Sequence, residues 1–174
     1  MAFSPEVGEE ITINGARYRV AEHPSAPSTP YICNGRQSNV YQLVDTGPEG
    51  RCHALKVFEP PHRAPALVGL ATRLAEFASI PGLTVCARTV LSPQRHAPLL
   101  RQYPDLIYAM LLPWVEGPTW EEVVRQRKVL TPEQSLSLAR SLAGVLAEME
   151  QRSVAHCDLS GAHIMLPGLA ALTE

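Results

Sequence analysis

The sequence predicts an α+β protein, in which an antiparallel sheet is followed by helices. Residues 11–20 are rich in strand-forming side chains around Asn14-Gly15, a dipeptide typical of tight hairpin turns. Residues 66–80 change to a helical spacing of apolar side chains, and residues 132–152 repeat that spacing over a longer stretch. Strands gathered before helices in this way are typical of the α+β class.

The remaining elements are predicted in chain order. Proline-rich stretches at 24–30, 60–65 and 93–104 are interpreted as loops. Short strands are predicted at 31–33, 39–45, 51–58, 83–91 and 106–112, and a short helix at 119–127. The helix over 132–152 has the best-defined start: Thr131 can cap it, Pro132 suits the first helical position, and Gln134 completes a capping box.

Composition and charge indicate a soluble cytoplasmic protein. The net charge of −2 gives no electrostatic reason to expect nucleic acid or an anionic membrane as a partner. No apolar run approaches the ~18 residues of a membrane span, and the acidic start MAFSPEVGEE lacks the features of a secretory signal. The four cysteines are too widely spaced for a CxxC metal knuckle or a disulfide scaffold, so a reducing compartment is expected.

Lys56, in the predicted strand RCHALKVF, is the first candidate for a functional side chain. A glycine-containing turn, CNGRQSNVY, lies just upstream, and such a turn can bring backbone N–H groups to the same anion as a lysine on the next strand. Glu76 is the one carboxylate between Glu59 and Asp105, and it lies within the predicted helix 66–80. We expect Glu76 to form an ion pair with Lys56, the alternative for each being a solvent-facing side chain.

The segment VAHCDLSGAHIML, residues 154–166, places several reactive side chains directly after the long helix. A zinc site is disfavoured because a second pair of ligands is missing. A Cys–His nucleophile is also disfavoured, because the adjacent side chains of His156 and Cys157 cannot face each other. Asp158, on a loop before an apolar strand, fits a positioned base better.

The order of these motifs resembles the protein kinases over residues 11–166: a glycine-bearing turn, ALKVF, a helical glutamate, LLPWVEG, a long helix and HCDLSGAHIML. The resemblance implies a kinase-like N-lobe at 1–112, made of a five-stranded antiparallel sheet and the αC helix at 66–80. It implies a hinge at 113–118. The start of a helical C-lobe would follow at 119–174, with the long helix at 132–152 and the catalytic loop at 156–163.

The same resemblance implies an ATP site. Lys56 would bind the α- and β-phosphates, and Glu76 would be its helical partner. Cys33, Gly35 and Ser38 stand at the three loop-glycine positions, which predicts a stiffer loop. The implied adenine contacts are Val40 and Ala54 above the base, Met165 below it, Leu112 as gatekeeper, and the carbonyl of Pro113 with the N–H of Val115 as hinge.

In the catalytic loop the resemblance makes Asp158 the base that accepts the substrate hydroxyl proton and His156 the residue that braces the loop. Cys157 and Ser160 replace an arginine and a lysine of the family. His163 stands at the asparagine that holds the second Mg²⁺, although imidazole is a poorer ligand for Mg²⁺ than oxygen.

Three functions are consistent with this pattern. The first is a Ser/Thr-type protein kinase, a transferase that moves the ATP γ-phosphate to a hydroxyl of an unidentified protein. The second is a pseudokinase that binds nucleotide or a partner, and the third is a small-molecule phosphotransferase. The chain ends at LPGLAALTE, before any Asp-Phe-Gly segment, so we expect it to be inactive alone and to self-associate through exposed apolar surface.

Overall fold

The computed structural model describes residues 3–167 as a mixed α+β protein with a curled antiparallel sheet. The chain forms two compact units. The first comprises Met1–Ala78 and Val85–Trp114, and the second comprises Ser79–Thr84 and Val115–Glu174. The chain passes from one unit to the other three times, and the third crossing, after Trp114, falls within the segment predicted as a hinge.

The first unit contains all of the strands in the described part of the chain. They are β1 Glu10–Ile13, β2 Ala16–Val20, β3 Glu22–His23, β4 Ala26–Pro30, β5 Ile32–Asn34, β6 Ser38–Asp45, β7 Cys52–Phe58, β8 Thr89–Val90 and β9 Met110–Pro113. The main sheet has the order β1-β2-β6-β7-β9-β8, and β5 pairs with the first half of β6. Strands β3 and β4 form a separate two-stranded sheet.

The predicted hairpin around Asn14 and Gly15 is confirmed. Both residues have positive φ angles, 52° and 79°, which is the conformation that the Asn-Gly dipeptide supplies in a two-residue hairpin turn. The prediction of a loop at 24–30 is wrong, because β4 occupies most of it. Its prolines are tolerated because each strand of a two-stranded sheet has a free edge that needs no N–H donor.

The two faces of the main sheet support different apolar clusters. The larger cluster includes Leu43 and Leu55, both fully buried, and it packs against the segment that holds Leu91 and Leu106. Burying one leucine fully contributes about 1.5–3 kcal/mol, so this cluster dominates the stability of the unit. The smaller cluster, on the opposite face, joins the sheet to helix α1, which spans Ala66–Leu74.

Helix α1 is shorter than the predicted helix 66–80. It ends at Leu74 and tightens into a single 3₁₀ turn, Ala75–Phe77, as helix ends often do. The strands predicted at 83–91 and 106–112 are also shorter than expected. A 3₁₀ turn precedes the strand in both regions, at Thr84–Cys86 before β8 and at Pro104–Leu106 before β9. Of these regions, only β8 and β9 pair with the sheet.

A second helix, α2 at Pro93–Gln102, lies where a proline-rich loop was expected. Pro93 occupies its first turn, where the missing N–H costs nothing. Pro98 lies inside the helix, and the backbone departs from helical geometry at His96, with φ −124°. This kink relieves the clash that a proline ring makes with the preceding turn.

The second unit contains α3 at Trp120–Arg125 and α4 at Pro132–Gln151. The predicted capping box of α4 is confirmed, since the Thr131 side chain accepts from the Gln134 N–H and the Gln134 side chain accepts from the Thr131 N–H. The apolar stripe of α4 is only partly covered, with Leu136 50% and Leu146 38% exposed. Self-association through such surface stays a prediction. Over the described residues, no helix is long and apolar enough to cross a membrane.

Candidate functional site

Four of the residues predicted to contact ATP lie on one face of the main sheet in the first unit. Strand pairing sets Val40 of β6 opposite Lys56 of β7, and Leu112 of β9 opposite Ala54 of β7. Residues directly opposite each other in an antiparallel pair share a face, and so do residues two apart on one strand. Val40, Ala54, Lys56 and Leu112 therefore form one group, called here the Lys56 face.

The ammonium of Lys56 is half-buried among apolar side chains. It lies 5.3 Å from the centre of the Phe58 ring, within the range of a cation–π contact. Burial lowers the pKa of Lys56, because desolvation disfavours the charged form. The positive charge of Arg88 lowers that pKa further.

The predicted ion pair between Lys56 and Glu76 is not formed. No carboxylate of the described residues makes an ion pair with Lys56, and Glu76 is exposed. Glu76 lies in the 3₁₀ turn beyond the end of α1, where successive side chains are about 120° apart. Phe77 is the buried residue of that turn, so the neighbouring Glu76 is directed to solvent. Sequence reasoning went wrong because it extended the α-helix past Leu74.

Arg88 is the charged neighbour that the sequence did not predict. It precedes β8 and is two positions before Val90. Val90 pairs with Met110, and Met110 pairs with Lys56, so these three residues form one row across the sheet. The Arg88 Nε donates a hydrogen bond of 3.1 Å to the backbone oxygen of Val85, which anchors the guanidinium. Only the pairing of three strands brings these residues together, and no local motif indicates it.

The loop between β5 and β6 closes tightly on itself. The Gly35 N–H donates to the Ser38 carbonyl over 2.9 Å. A Cβ at position 35 would lie 3.0 Å from that carbonyl oxygen, closer than an ordinary van der Waals contact, so a larger residue would push the carbonyl away. Ser38 is buried at the start of β6, opposite Phe58. In this conformation the Gly35 amide is already bonded within the loop, and a phosphate would have to displace the Ser38 carbonyl to use it.

The predicted hinge residues fall in different units. Pro113 ends β9 in the first unit, opposite His53, and the N–H of Trp114 donates to the Cys52 carbonyl over 3.2 Å. Val115 begins the longer part of the second unit, and its N–H has no hydrogen-bond partner among residues 3–167. Met165, also in the second unit, pairs with Thr119 in an isolated β-bridge.

The predicted catalytic loop is held together by His163. Its Nδ1 lies 2.6 Å from the backbone oxygen of Asp158 and 3.2 Å from the Ser160 Oγ. A carbonyl can only accept, so the proton of the neutral imidazole resides on Nδ1 and the Nε2 lone pair is left available. The His156 ring lies 5.8 Å from that of His163, and both are exposed.

Asp158 presents its carboxylate to solvent. Its side chain is 83% exposed, and its Oδ2 lies 3.8 Å from the His163 Nδ1. The preceding residue, Cys157, has a φ of 62°, a left-handed conformation that costs a non-glycine residue roughly 1–2 kcal/mol. A short, tightly bonded loop therefore turns Asp158 outward at the expense of local strain.

The predicted site coincides neither with a metal-binding cluster of the described residues nor with the cavity of the first unit. Across residues 3–167, no group of three or more His, Cys, Asp or Glu side chains is arranged to hold a metal ion. His163 as an Mg²⁺ ligand therefore stays a prediction that its imidazole chemistry disfavours. A cavity of about 300 Å³ lies in the first unit, lined by Asn39, Tyr41, Arg63 and Asp105 among others. Asn39 and Tyr41 belong to the face opposite Lys56.

Comparison with known proteins gives no family for the chain. No protein-family model matches it, and no curated protein sequence matches it. The kinase-like interpretation therefore rests on the residues and geometry described above.

Proposed function

We propose that this chain is a protein-kinase-like module that binds ATP on the Lys56 face. One observation carries the proposal: Lys56 is a half-buried cation with no carboxylate partner in the described part of the chain. A charge removed from water without a counter-ion is costly, so such a side chain is best explained by an anionic ligand. The phosphates of a nucleotide supply that charge.

The neighbours of Lys56 suit the rest of a nucleotide. Val40, Ala54 and Leu112 are apolar and lie beside the ammonium on the same face. Ligand sites typically combine such an apolar lining with a few polar groups that fix orientation. An adenine ring against these side chains and phosphates at Lys56 would satisfy both requirements.

For the reaction, we propose transfer of the ATP γ-phosphate to a protein hydroxyl by the complete kinase-like domain. The hydroxyl oxygen would attack the γ-phosphorus, its proton would pass to the Asp158 carboxylate, and ADP would leave. The exposure of the Asp158 side chain allows a protein substrate to approach it. Mg²⁺ would neutralise the phosphate charge, and imidazole at His163 makes a poor ligand for it.

A second candidate is a pseudokinase that binds nucleotide without transferring phosphate. Two observations favour it. The pair between Lys56 and Glu76 is absent, and that pair must be in place for a kinase to be active. The Gly35 amide is bonded to Ser38 rather than available to a phosphate.

Thermal melting with and without ATP and Mg²⁺ tests the shared step, which is nucleotide binding. At an ATP concentration a hundredfold above Kd, binding adds about 2.7 kcal/mol to the free energy of unfolding. We expect Lys56→Ala to abolish this gain. Lys128→Ala is the matched control, since Lys128 is the only other lysine of the chain and lies in the second unit. A wild-type melting temperature that ATP leaves unchanged would reject the proposal.

Transfer of label from γ-labelled ATP to a protein substrate separates the two candidates. If the domain is a kinase, Asp158→Asn removes transfer and leaves the ATP-dependent gain in stability intact, because Asp158 contacts the acceptor hydroxyl rather than the nucleotide. ATP binding without any transfer by the wild type would favour the pseudokinase.

A further inference from the structure

We propose that Arg88 and Lys56 together form a two-cation site that selects di- and triphosphates, with Arg88 as a second phosphate-binding residue. This inference rests on the proposed function and specifies its ligand. The site would take a polyphosphate group with at least two negative charges, and the base would contribute less to affinity than the phosphates.

The first support is the position of the two residues in the sheet. Lys56, Met110 and Val90 form one row across β7, β9 and β8. Arg88 immediately precedes β8, two positions before Val90, which is the spacing that shares a face where the alternation of the strand continues. Its charge acts on Lys56 strongly enough to lower the pKa of that ammonium.

The second support is how Arg88 is held. Its side chain is half-buried, and its Nε is already bonded to the Val85 backbone oxygen. The guanidinium has five N–H donors in a fixed plane. A hydrogen bond from Nε therefore also fixes the direction of the four remaining N–H donors. An arginine prepared in this way loses little side-chain entropy when it binds a phosphate.

The third support is the absence of counter-charge. No ion pair to Arg88 or Lys56 is formed by any carboxylate within residues 3–167. Arg63, also partly buried in the same unit, behaves differently, because its guanidinium is paired with Asp105 at 2.9 Å. Two neighbouring cations without a carboxylate repel each other, and a bound polyanion removes that repulsion.

The test is calorimetric titration of the full chain with adenosine, AMP, ADP, ATP and inorganic pyrophosphate. We expect affinity to rise from AMP to ADP and pyrophosphate to bind without any base. Arg88→Ala should weaken ADP and pyrophosphate by roughly 10- to 100-fold, as expected for the loss of a charge-assisted hydrogen bond, and leave adenosine unchanged. Arg88→Lys should recover part of the loss. Arg73→Ala is the control, since Arg73 is an exposed arginine at the end of α1.

The outcomes separate this inference from the proposed function. Binding of ADP that Lys56→Ala abolishes and Arg88→Ala leaves unchanged would overturn the role of Arg88 and retain the nucleotide site. Binding of pyrophosphate alone, lost in both variants, would support the two-cation site and reject the nucleotide. Melting of the free proteins checks folding. Because Arg88→Ala relieves repulsion, its melting temperature should equal or exceed that of Arg63→Ala, which breaks an ion pair.

Discussion

Lys56 in the first unit and Asp158 in the second differ in what surrounds them. Lys56 lies on a strand whose two neighbours fix its position, and apolar side chains lower the pKa of its ammonium. Asp158 lies on a loop, its side chain is 83% exposed, and hydrogen bonds from one nearby histidine organise the segment. A strand-borne group takes its chemistry from residues distant in sequence, whereas a loop-borne group takes it from its immediate neighbours.

The surroundings of Lys56 and of Asp158 should also differ in how much their side chains contribute to the free energy of unfolding. Leu55→Ala removes a fully buried side chain next to Lys56 and should lower the free energy of unfolding of the first unit by about 2–5 kcal/mol. Leu159→Ala removes a side chain that is 44% exposed next to Asp158, and its effect should stay within about 0.5 kcal/mol.

Urea unfolding followed by tryptophan fluorescence can measure both effects, because Trp114 lies in the first unit and Trp120 in the second. Versions of the chain with a single tryptophan, made by Trp114→Phe or Trp120→Phe, report each unit separately. Equal losses for the two leucine variants would show that the segment around Asp158 is packed as tightly as the sheet.

Local signals explain which parts of the fold could be predicted from the sequence. Asn14-Gly15 specifies a hairpin turn through the conformations that it permits, and Thr131 with Gln134 specifies a helix start through two reciprocal hydrogen bonds. Each signal acts over fewer than five residues. Helix α2 was not predicted because Pro98 argues against a helix locally, and the kink at His96 that accommodates it has no sequence signature.

The candidate site was predicted in part for the same reason. The alternation of β7 puts Lys56 and Ala54 on one face, and a motif on a single strand is enough to indicate this. The charged neighbour of Lys56 depends on where α1 ends and on the pairing of β8 with β9. The sequence predicted the carboxylate of Glu76 there, and the structure instead has the like-charged Arg88.

A buried histidine in the first unit should make stability depend on pH. His96 is 5% exposed, and burial lowers its pKa below the ordinary value of 6.5. Above pH 6.5 both folded and unfolded states are neutral at this residue, and its full contribution to stability is present. As the pH falls below 6.5, the unfolded state binds a proton more readily than the folded state, so stability declines until the folded pKa is reached.

Urea unfolding from pH 8 to 5 checks this by comparing the wild type with His96→Gln, which can keep both polar contacts without titrating. The wild type should lose more stability than the variant over the lower part of this range. His163→Gln, at an exposed histidine of the second unit, is the control for replacing one imidazole by an amide. Parallel pH curves for the wild type and His96→Gln would contradict the prediction.

In their neutral forms, His96 and His163 should carry the ring proton on different nitrogens. The Nδ1 of His96 accepts a hydrogen bond from the Ser92 N–H, and its Nε2 lies 2.9 Å from the Asn14 Oδ1, so the proton belongs on Nε2. The Nδ1 of His163 faces the Asp158 carbonyl, so its proton belongs on Nδ1. Nitrogen NMR at pH 8 distinguishes the two forms, and His96→Gln and His163→Gln assign the signals. Identical tautomers at both sites would mean that the Asp158 carbonyl does not organise the loop, and the Nε2 of His163 would then not be the nitrogen left available for a proton or a ligand.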